Sequence, residues 1–459
     1  MNKLFHSIIM LLLLTLSFIL AQPTGYYDNA KMKSGNNLKI ALHNIIKGHT
    51  VISYDGLYNA YKQTDTKPNN VVWDMYSDIP GGTPPYIYYH NKKTCGNYSK
   101  EGDCYNREHT FPQSLFNSKS PMVSDLFHVY PTDGKVNGMR SNYPHAEVKN
   151  PTWTSLNGSK LGSCANEGYT GTVFEPIDSF KGDFARTYFY MAVRYYSEDA
   201  SWTSNGMNQG ADLKDWAKNV MIKWHYLDPV SKKEIDRNNA VYQYQKNRNP
   251  FIDHPEWAQE IFLPNDPPKL IYAKLEDNNK IEVKFSRYVE LTSSQTITNY
   301  TFTPNLEIIS AILNQDDPSK VTLNINNYSS NTNYTLTVNN VKNMSANIPI
   351  AANSQITLNQ ITAIESPFNY NTPSYTLYQN YPNPFNPTTT ITFDLKKSSN
   401  VKLKVFNSLG QEIITLVDAP LTPSFYQLEF DASNLNSGIY YYQLITNDNI
   451  QTKKMLLLK

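Results

Sequence analysis

Apolar positions along this chain fall into three textures. Residues 8–20 form a largely apolar run behind Lys3, and Ala21 follows it before the polar pair Gln22-Pro23. A basic start, a short apolar run and a small residue at its end predict a signal peptide over residues 1–21. The run is short of the about 20 residues a spanning helix needs. Between residues 22 and 263, apolar residues recur at helical spacing. Over 181–196, Tyr188, Met191, Ala192 and Tyr195 share one face, which predicts an amphipathic core helix. A second helix is expected from near Asp212, carrying Trp216, Val220 and Trp224. The Pro-rich stretch 264–268 breaks this period and reads as a linker. Beyond it the period becomes two. Residues 280–285, 321–325 and 334–338 alternate apolar and polar, with Asn, Ser and Thr in the gaps, as a small antiparallel sandwich requires. That unit covers 269–358. A linker rich in Pro, Asn and Tyr then leads to a third, strand-rich unit over 375–459. No later segment is long and apolar enough to predict a stable membrane span.

A length of 459 residues fits such a multidomain arrangement. Lys and Arg number 41 and Asp and Glu 40, a formal net charge of +1. That balance argues against a protein that coats nucleic acid through bulk electrostatics, while leaving room for an enzyme that grips a few phosphates locally. The 34 tyrosines and the 18% charged residues read as an extracellular, β-rich surface. Export permits disulfides. Cys95 and Cys104 bracket a short Gly-containing polar loop and are expected to pair, leaving Cys164 free. Three scattered cysteines lack the paired spacing of a structural zinc site.

The chemistry concentrates in the stretch Asn106-Arg107-Glu108-His109-Thr110-Phe111-Pro112-Gln113-Ser114, followed by Ser124 to Asp133 and by Lys135-Val136-Asn137-Gly138-Met139-Arg140-Ser141-Asn142. Phosphodiester hydrolysis needs a group that takes a proton from water and a charge that neutralises the phosphoryl oxygens. Histidine suits the first task near neutral pH, and a hard cation held by oxygen ligands suits the second. Adjacent Glu108 and His109 on an extended segment point to opposite faces, so one can hold metal while the other faces the water. Asn137, on a following helix, can add a neutral oxygen. A Glu-His dipeptide alone is weak evidence, since its bland reading is a hydrogen-bonded surface pair. His109 also lacks the second histidine of a helical zinc motif.

These segments resemble the endonuclease I family, secreted or periplasmic nucleases of the ββα-metal type. Residues 71–77 (Val-Val-Trp-Asp-Met-Tyr-Ser), 181–191 and 245–256 match further family blocks in the same order. The resemblance implies an α+β nuclease domain over 22–263, with His109 as general base and Glu108 and Asn137 as ligands of one divalent ion. Mg²⁺ is the expected metal, with Mn²⁺ and Ca²⁺ as alternatives. It further implies a monomer that cleaves DNA, and in some members RNA, with little sequence preference, leaving 5′-phosphate ends. Relatives place an arginine in the loop after the histidine. Here that loop holds no arginine, only Lys119, and Arg140 is the other candidate for the phosphate. His128, where relatives carry asparagine, is expected to be structural. Asp133 reads as a support for the site or as a solvated helix-start carboxylate, and Asn142 as a further support. Asn247 and Asn249 are expected to fix loops close to the site, and Asp183 and Arg186 to pair on the core helix.

Downstream, 280–290 and 333–343 resemble a bacterial immunoglobulin-like module, for which spacing is the default role. Residues 378–388, 405–410, 437–442 and the end 453–459 resemble the C-terminal sorting domain of type IX secretion. The fold expected is therefore a ββα-metal nuclease domain followed by two all-β, sandwich-like domains. The secretion machinery is an implied partner, and the destination is the medium or the cell surface. The competing readings are a surface adhesin that keeps an inactive nuclease scaffold and a phosphodiesterase for small or lipid substrates. The intact Glu108, His109 and Asn137 weigh against the adhesin.

Overall fold

The computed structural model describes residues 22–277, 279–358, 375–395, 397–421 and 424–459. The expected signal peptide and the second linker lie outside them. The N-terminal part mixes helices with small sheets. Helices α1 (Gly35–Ile46) and α2 (Leu57–Thr64) precede a two-residue ladder of β1 (Thr66–Lys67) and β2 (Val71–Val72). Then come β3 (Tyr105–His109), β4 (Val129–Asp133) and α3 (Gly134–Arg140), the strand, strand, helix order that the motif predicts. An antiparallel sheet in the order β5 (Val148–Thr154), β6 (Lys160–Cys164), β7 (Thr172–Glu175) follows. Next are α4 (Lys181–Arg194), the short pair β8 (Asn208–Gln209) and β9 (Asp212–Leu213), α5 (Asp215–Leu227), α6 (Lys232–Gln245), α7 (Pro250–Asp253) and α8 (Trp257–Phe262).

Helix α4 departs from the amphipathic expectation: every one of its residues is buried. It packs against α1, α5 and α7, so no face remains for solvent. Its charged residues need internal partners, because an unpaired buried charge is costly. Lys181 Nζ lies 2.7 Å from Glu175 Oε1, and Arg194 Nη1 lies 3.0 Å from Glu198 Oε1. Arg186 does not pair with Asp183 as expected; its guanidinium forks onto both oxygens of Glu234, the capping-box residue of α6. At Gly182 a Cβ would sit 1.9 Å from the backbone oxygen of Asp228, so only glycine fits there. The large core of this part gathers around α4, and a smaller one, with Trp73, Tyr76, Tyr130, Val136, Phe174 and Phe184, lies between α3 and the β5–β7 sheet.

The C-terminal region is β-rich. One four-stranded sheet runs in the order β10 (Leu270–Asp277), β11 (Lys280–Phe285), β14 (Lys320–Asn326), β13 (Glu307–Leu313), and a three-stranded sheet in the order β12 (Tyr300–Thr303), β15 (Thr335–Val338), β16 (Ser354–Thr357). Ile281, Val283, Leu323 and Leu336, the inward residues of alternating strands, join one buried cluster. Two further sheets follow: β17 (Thr376–Leu377), β18 (Thr388–Leu395), β21 (Ser424–Asp431), and β20 (Glu412–Leu421), β19 (Ser399–Asn407), β22 (Gly438–Ile445), β23 (Ile450–Leu457). Among the described residues no helix is long and apolar enough to cross a membrane.

The stretch 264–268 is pinned in place. Arg287, just past β11, donates from Nη1 to the carbonyls of Leu263 (2.7 Å) and Asp266 (2.8 Å) and from Nη2 to Glu260 Oε2 (3.3 Å) and Ser345 Oγ (3.0 Å). Glu260, on α8, also accepts from Ser34 Oγ and from Tyr288 N–H, both at 3.0 Å. Both residues of this ion pair are buried.

Candidate active site

The site is built on β3, which pairs antiparallel with β4 so that Glu108 faces Tyr130 and His109 faces Val129. Alternation places Asn106 and Glu108 on one strand face and Arg107 and His109 on the other. Yet all four border a single cavity of about 560 Å³, together with Tyr54, Tyr58, Asn137 and Asn142. Residues from both faces of β3 therefore line one space. Helix α3 closes it on the Glu108 side. Asp133 starts that helix, its Oδ1 accepting from Val136 N–H at 2.8 Å. Asp133 is fully buried rather than solvated, and its Oδ2 accepts from the Tyr88 hydroxyl (2.6 Å) and Gly102 N–H (2.9 Å). Gly134 and Gly138 leave room for the Tyr98 ring to lie on α3: a Cβ at Gly138 would come within 2.2 Å of the Tyr98 hydroxyl. Tyr98 sits in the loop closed by the Cys95–Cys104 disulfide, whose expected pairing is present, with Cys164 free.

Glu108 is buried with one oxygen committed. Its Oε1 accepts from the Tyr76 hydroxyl (2.9 Å) and from Arg140 Nη1 (2.8 Å). Among the described residues nothing donates to Oε2. Burial pushes the Glu108 carboxyl up, and Arg140 beside it pulls the other way. Asn137 donates from Nδ2 to Asn106 Oδ1 at 2.8 Å, which leaves its Oδ1 without a protein donor. Two oxygens, one charged and one neutral, thus border the cavity unsatisfied. That donor set suits a hard divalent cation that keeps several waters; among the described residues no group of three or more His, Cys, Asp or Glu gathers to hold a metal, here or elsewhere.

His109 points a fixed imidazole at the same space. Its Nε2 lies 3.0 Å from the Val123 carbonyl. A carbonyl only accepts, so Nε2 carries the hydrogen and Nδ1 keeps its lone pair. Burial, with the His128 charge next, lowers the His109 pKa to about 3, which keeps the ring neutral near pH 7. Its ring stacks on Tyr54 at 5.9 Å. His128 is wholly buried, its Nε2 2.6 Å from the Met122 carbonyl and its ring centre 5.6 Å from that of His109.

Arg140 does not reach the cavity. It is 1% exposed, and its Nη1 also donates to the His109 carbonyl (2.8 Å) while Nη2 donates to the Thr110 carbonyl (2.5 Å). Instead of a phosphate, it binds Glu108 and the chain just past it. Asn247 and Asn249 also lie elsewhere: Asn247 Nδ2 donates to Tyr190 Oη and the Ile46 carbonyl, and Asn249 caps α7. Asn142 does border the cavity. Sequence reasoning overlooked Arg107, Tyr54, Tyr58 and Tyr76. Arg107 stands inside the motif, directly before Glu108, and its charge is the signal that marks it.

Residues 34–256 match the family described as Endonuclease I, and residues 379–458 match the secretion system C-terminal sorting domain. An extracellular ribonuclease of Bacillus subtilis (strain 168) is 36% identical over 254 residues, 53% of this chain and 80% of that protein. One from Bacillus amyloliquefaciens is 38% identical over 251 residues, 53% of this chain and 79% of that protein. An extracellular deoxyribonuclease of Aeromonas hydrophila is 22% identical over 251 residues, covering 53% and 96%. The sorting domain is of the type IX kind and directs the protein to the medium or the cell surface. With residues 34–256 matched and four-fifths of its Bacillus relatives covered, the chain belongs to the endonuclease I family.

Proposed function

We propose that this protein is a secreted endonuclease, dependent on a divalent metal, that hydrolyses DNA and RNA backbones without sequence preference and leaves 5′-phosphate ends. One observation carries the reading: a neutral imidazole with a free Nδ1 borders the same cavity as two unsatisfied oxygens, Glu108 Oε2 and Asn137 Oδ1. His109 Nδ1 takes the proton of the attacking water. The Val123 carbonyl holds the ring in the tautomer that can do so and steadies the imidazolium that forms. Glu108 and Asn137 hold the cation, most simply Mg²⁺, which when bound supplies charge neutralisation for the phosphoryl and leaving oxygens. Arg140 keeps Glu108 Oε1 occupied and so turns Oε2 outward. Family members named for RNA and for DNA both support a site that addresses the shared backbone. The C-terminal region is read as two sandwich domains over 269–358 and 375–459, the first beside the nuclease and the second an export address.

The test is cleavage of plasmid and of a structured RNA by the purified chain, with Mg²⁺ and with chelator. Activity should vanish with chelator, and His109→Ala should lower turnover roughly 10²–10⁴-fold. Equal cleavage by His109→Ala, or none by the wild type under Mg²⁺, Mn²⁺ or Ca²⁺, sinks the reading.

A further inference from the structure

With Arg140 buried, the proposed site still needs a cation that meets the substrate from the protein side. Among the described residues, Arg107 is the only Lys or Arg that borders the cavity. Its guanidinium lies 3.5 Å above the Tyr54 ring centre and 4.8 Å from that of Tyr58, an aromatic shelf that fixes its plane. Nη1 donates to the Tyr54 carbonyl at 2.9 Å. Among the described residues its ion-pair partner is Asp55, at 3.4 Å, and that side chain is 98% exposed. Such a pair is weak and gives way readily to a better anion. Nε and Nη2 find no hydrogen-bond partner among the described residues. Along β3, Arg107 and His109 lie two residues apart on one face, roughly 6–7 Å from each other.

We propose that Arg107 is a substrate-binding residue whose free guanidinium edge grips the backbone phosphate beside the water that His109 activates. The aromatic shelf holds the fork before substrate arrives, so little side-chain freedom is lost when it binds. The phosphate displaces Asp55 and takes up a planar, two-point contact that lysine could not reproduce. This assignment rests on the nuclease reading, but its test needs neither metal nor turnover.

The test is binding of a fluorescent 16-base-pair duplex to the full chain in EDTA, across a salt series. Arg107→Gln should weaken binding about tenfold, the loss of one charge-assisted contact. It should also make the slope of log K against log salt shallower by about 0.9, the signature of one lost phosphate. Wild-type affinity and slope in a folded Arg107→Gln would overturn the assignment. If that variant does not fold, phenylglyoxal labelling of the wild-type chain decides. The duplex should protect Arg107 from modification, and equal labelling with and without duplex would overturn it. A chain that cleaves nothing yet shows Arg107 protected would sink the nuclease reading and leave this contact standing.

Discussion

Replacing Arg287 with alanine strikes the contact between α8 and the β10–β16 region. Arg287 is 3% exposed and Glu260 is wholly buried, so the change leaves a carboxylate without its countercharge. Removing one partner of a buried ion pair costs about 3–5 kcal/mol, against about 0–1 kcal/mol for an exposed pair. The Leu263 and Asp266 carbonyls each lose one donor as well, while Asn343 Nδ2 still donates to the Asp266 carbonyl, so a cost within that range is expected. The pH dependence has a definite sign. Burial already raises the Glu260 carboxyl, and Arg287 is the first influence pulling it back. Without Arg287 its folded-state pKa rises further. A raised carboxyl contributes stability fully below its unfolded value near 4.3 and loses it as pH climbs towards the folded value. Arg287→Ala should therefore cost more at pH 8 than at pH 5. Urea unfolding followed by tryptophan fluorescence measures this, because Trp257 donates to Tyr288 Oη at the same contact. A loss under about 1 kcal/mol at pH 8, or a loss independent of pH, would refute the reasoning.

Three further outcomes are expected. Glu108→Ala and Asn137→Ala should each raise the Mg²⁺ concentration needed for half-maximal cleavage, and an unchanged titration would remove that residue as a ligand. Gly182→Ala should destabilise the protein by about 1–3 kcal/mol despite alanine's better helix propensity, since its Cβ would meet backbone; an unchanged urea midpoint contradicts this. The Asp74 carboxyl, raised to about 8 by burial first and by Asp133 next, should titrate near that value in carbon-detected NMR. Its contribution to stability is then complete below about pH 4 and lost as pH rises through 8, whereas titration near 4 would refute the burial argument.

Much of the site was legible because its chemistry is compressed into neighbouring positions. Glu108 and His109 are adjacent, and Asn137 lies on the first helix after the second strand, so local pattern and family resemblance both reached them. The disulfide was legible for the same reason of short range. Arg140 was misread because its charge is visible in sequence while its burial is not: the burial depends on Thr110 and Tyr188, 30 and 48 positions away, converging on it beside the nearby His145. The same holds for the Arg186–Glu234 pair, whose residues are 48 positions apart. Periodicity found α4 but gave it one apolar face, because charged residues such as Lys181 and Arg186, which pair inside the fold with Glu175 and Glu234, read as a solvated side. The stretch 264–268 read as a linker from its prolines, and nothing local announced that Arg287 would bind its carbonyls.

Helix α4 has an implication for the order of assembly. A segment with charges on several sides and no outlet to water cannot reach its final state by docking on a single surface. Arg186 waits on Glu234, 48 positions away, to be neutralised, whereas Lys181 and Arg194 meet Glu175 and Glu198 close by in sequence. Its amides should accordingly be among the slowest to exchange with deuterium, opening only when the whole nuclease part comes apart.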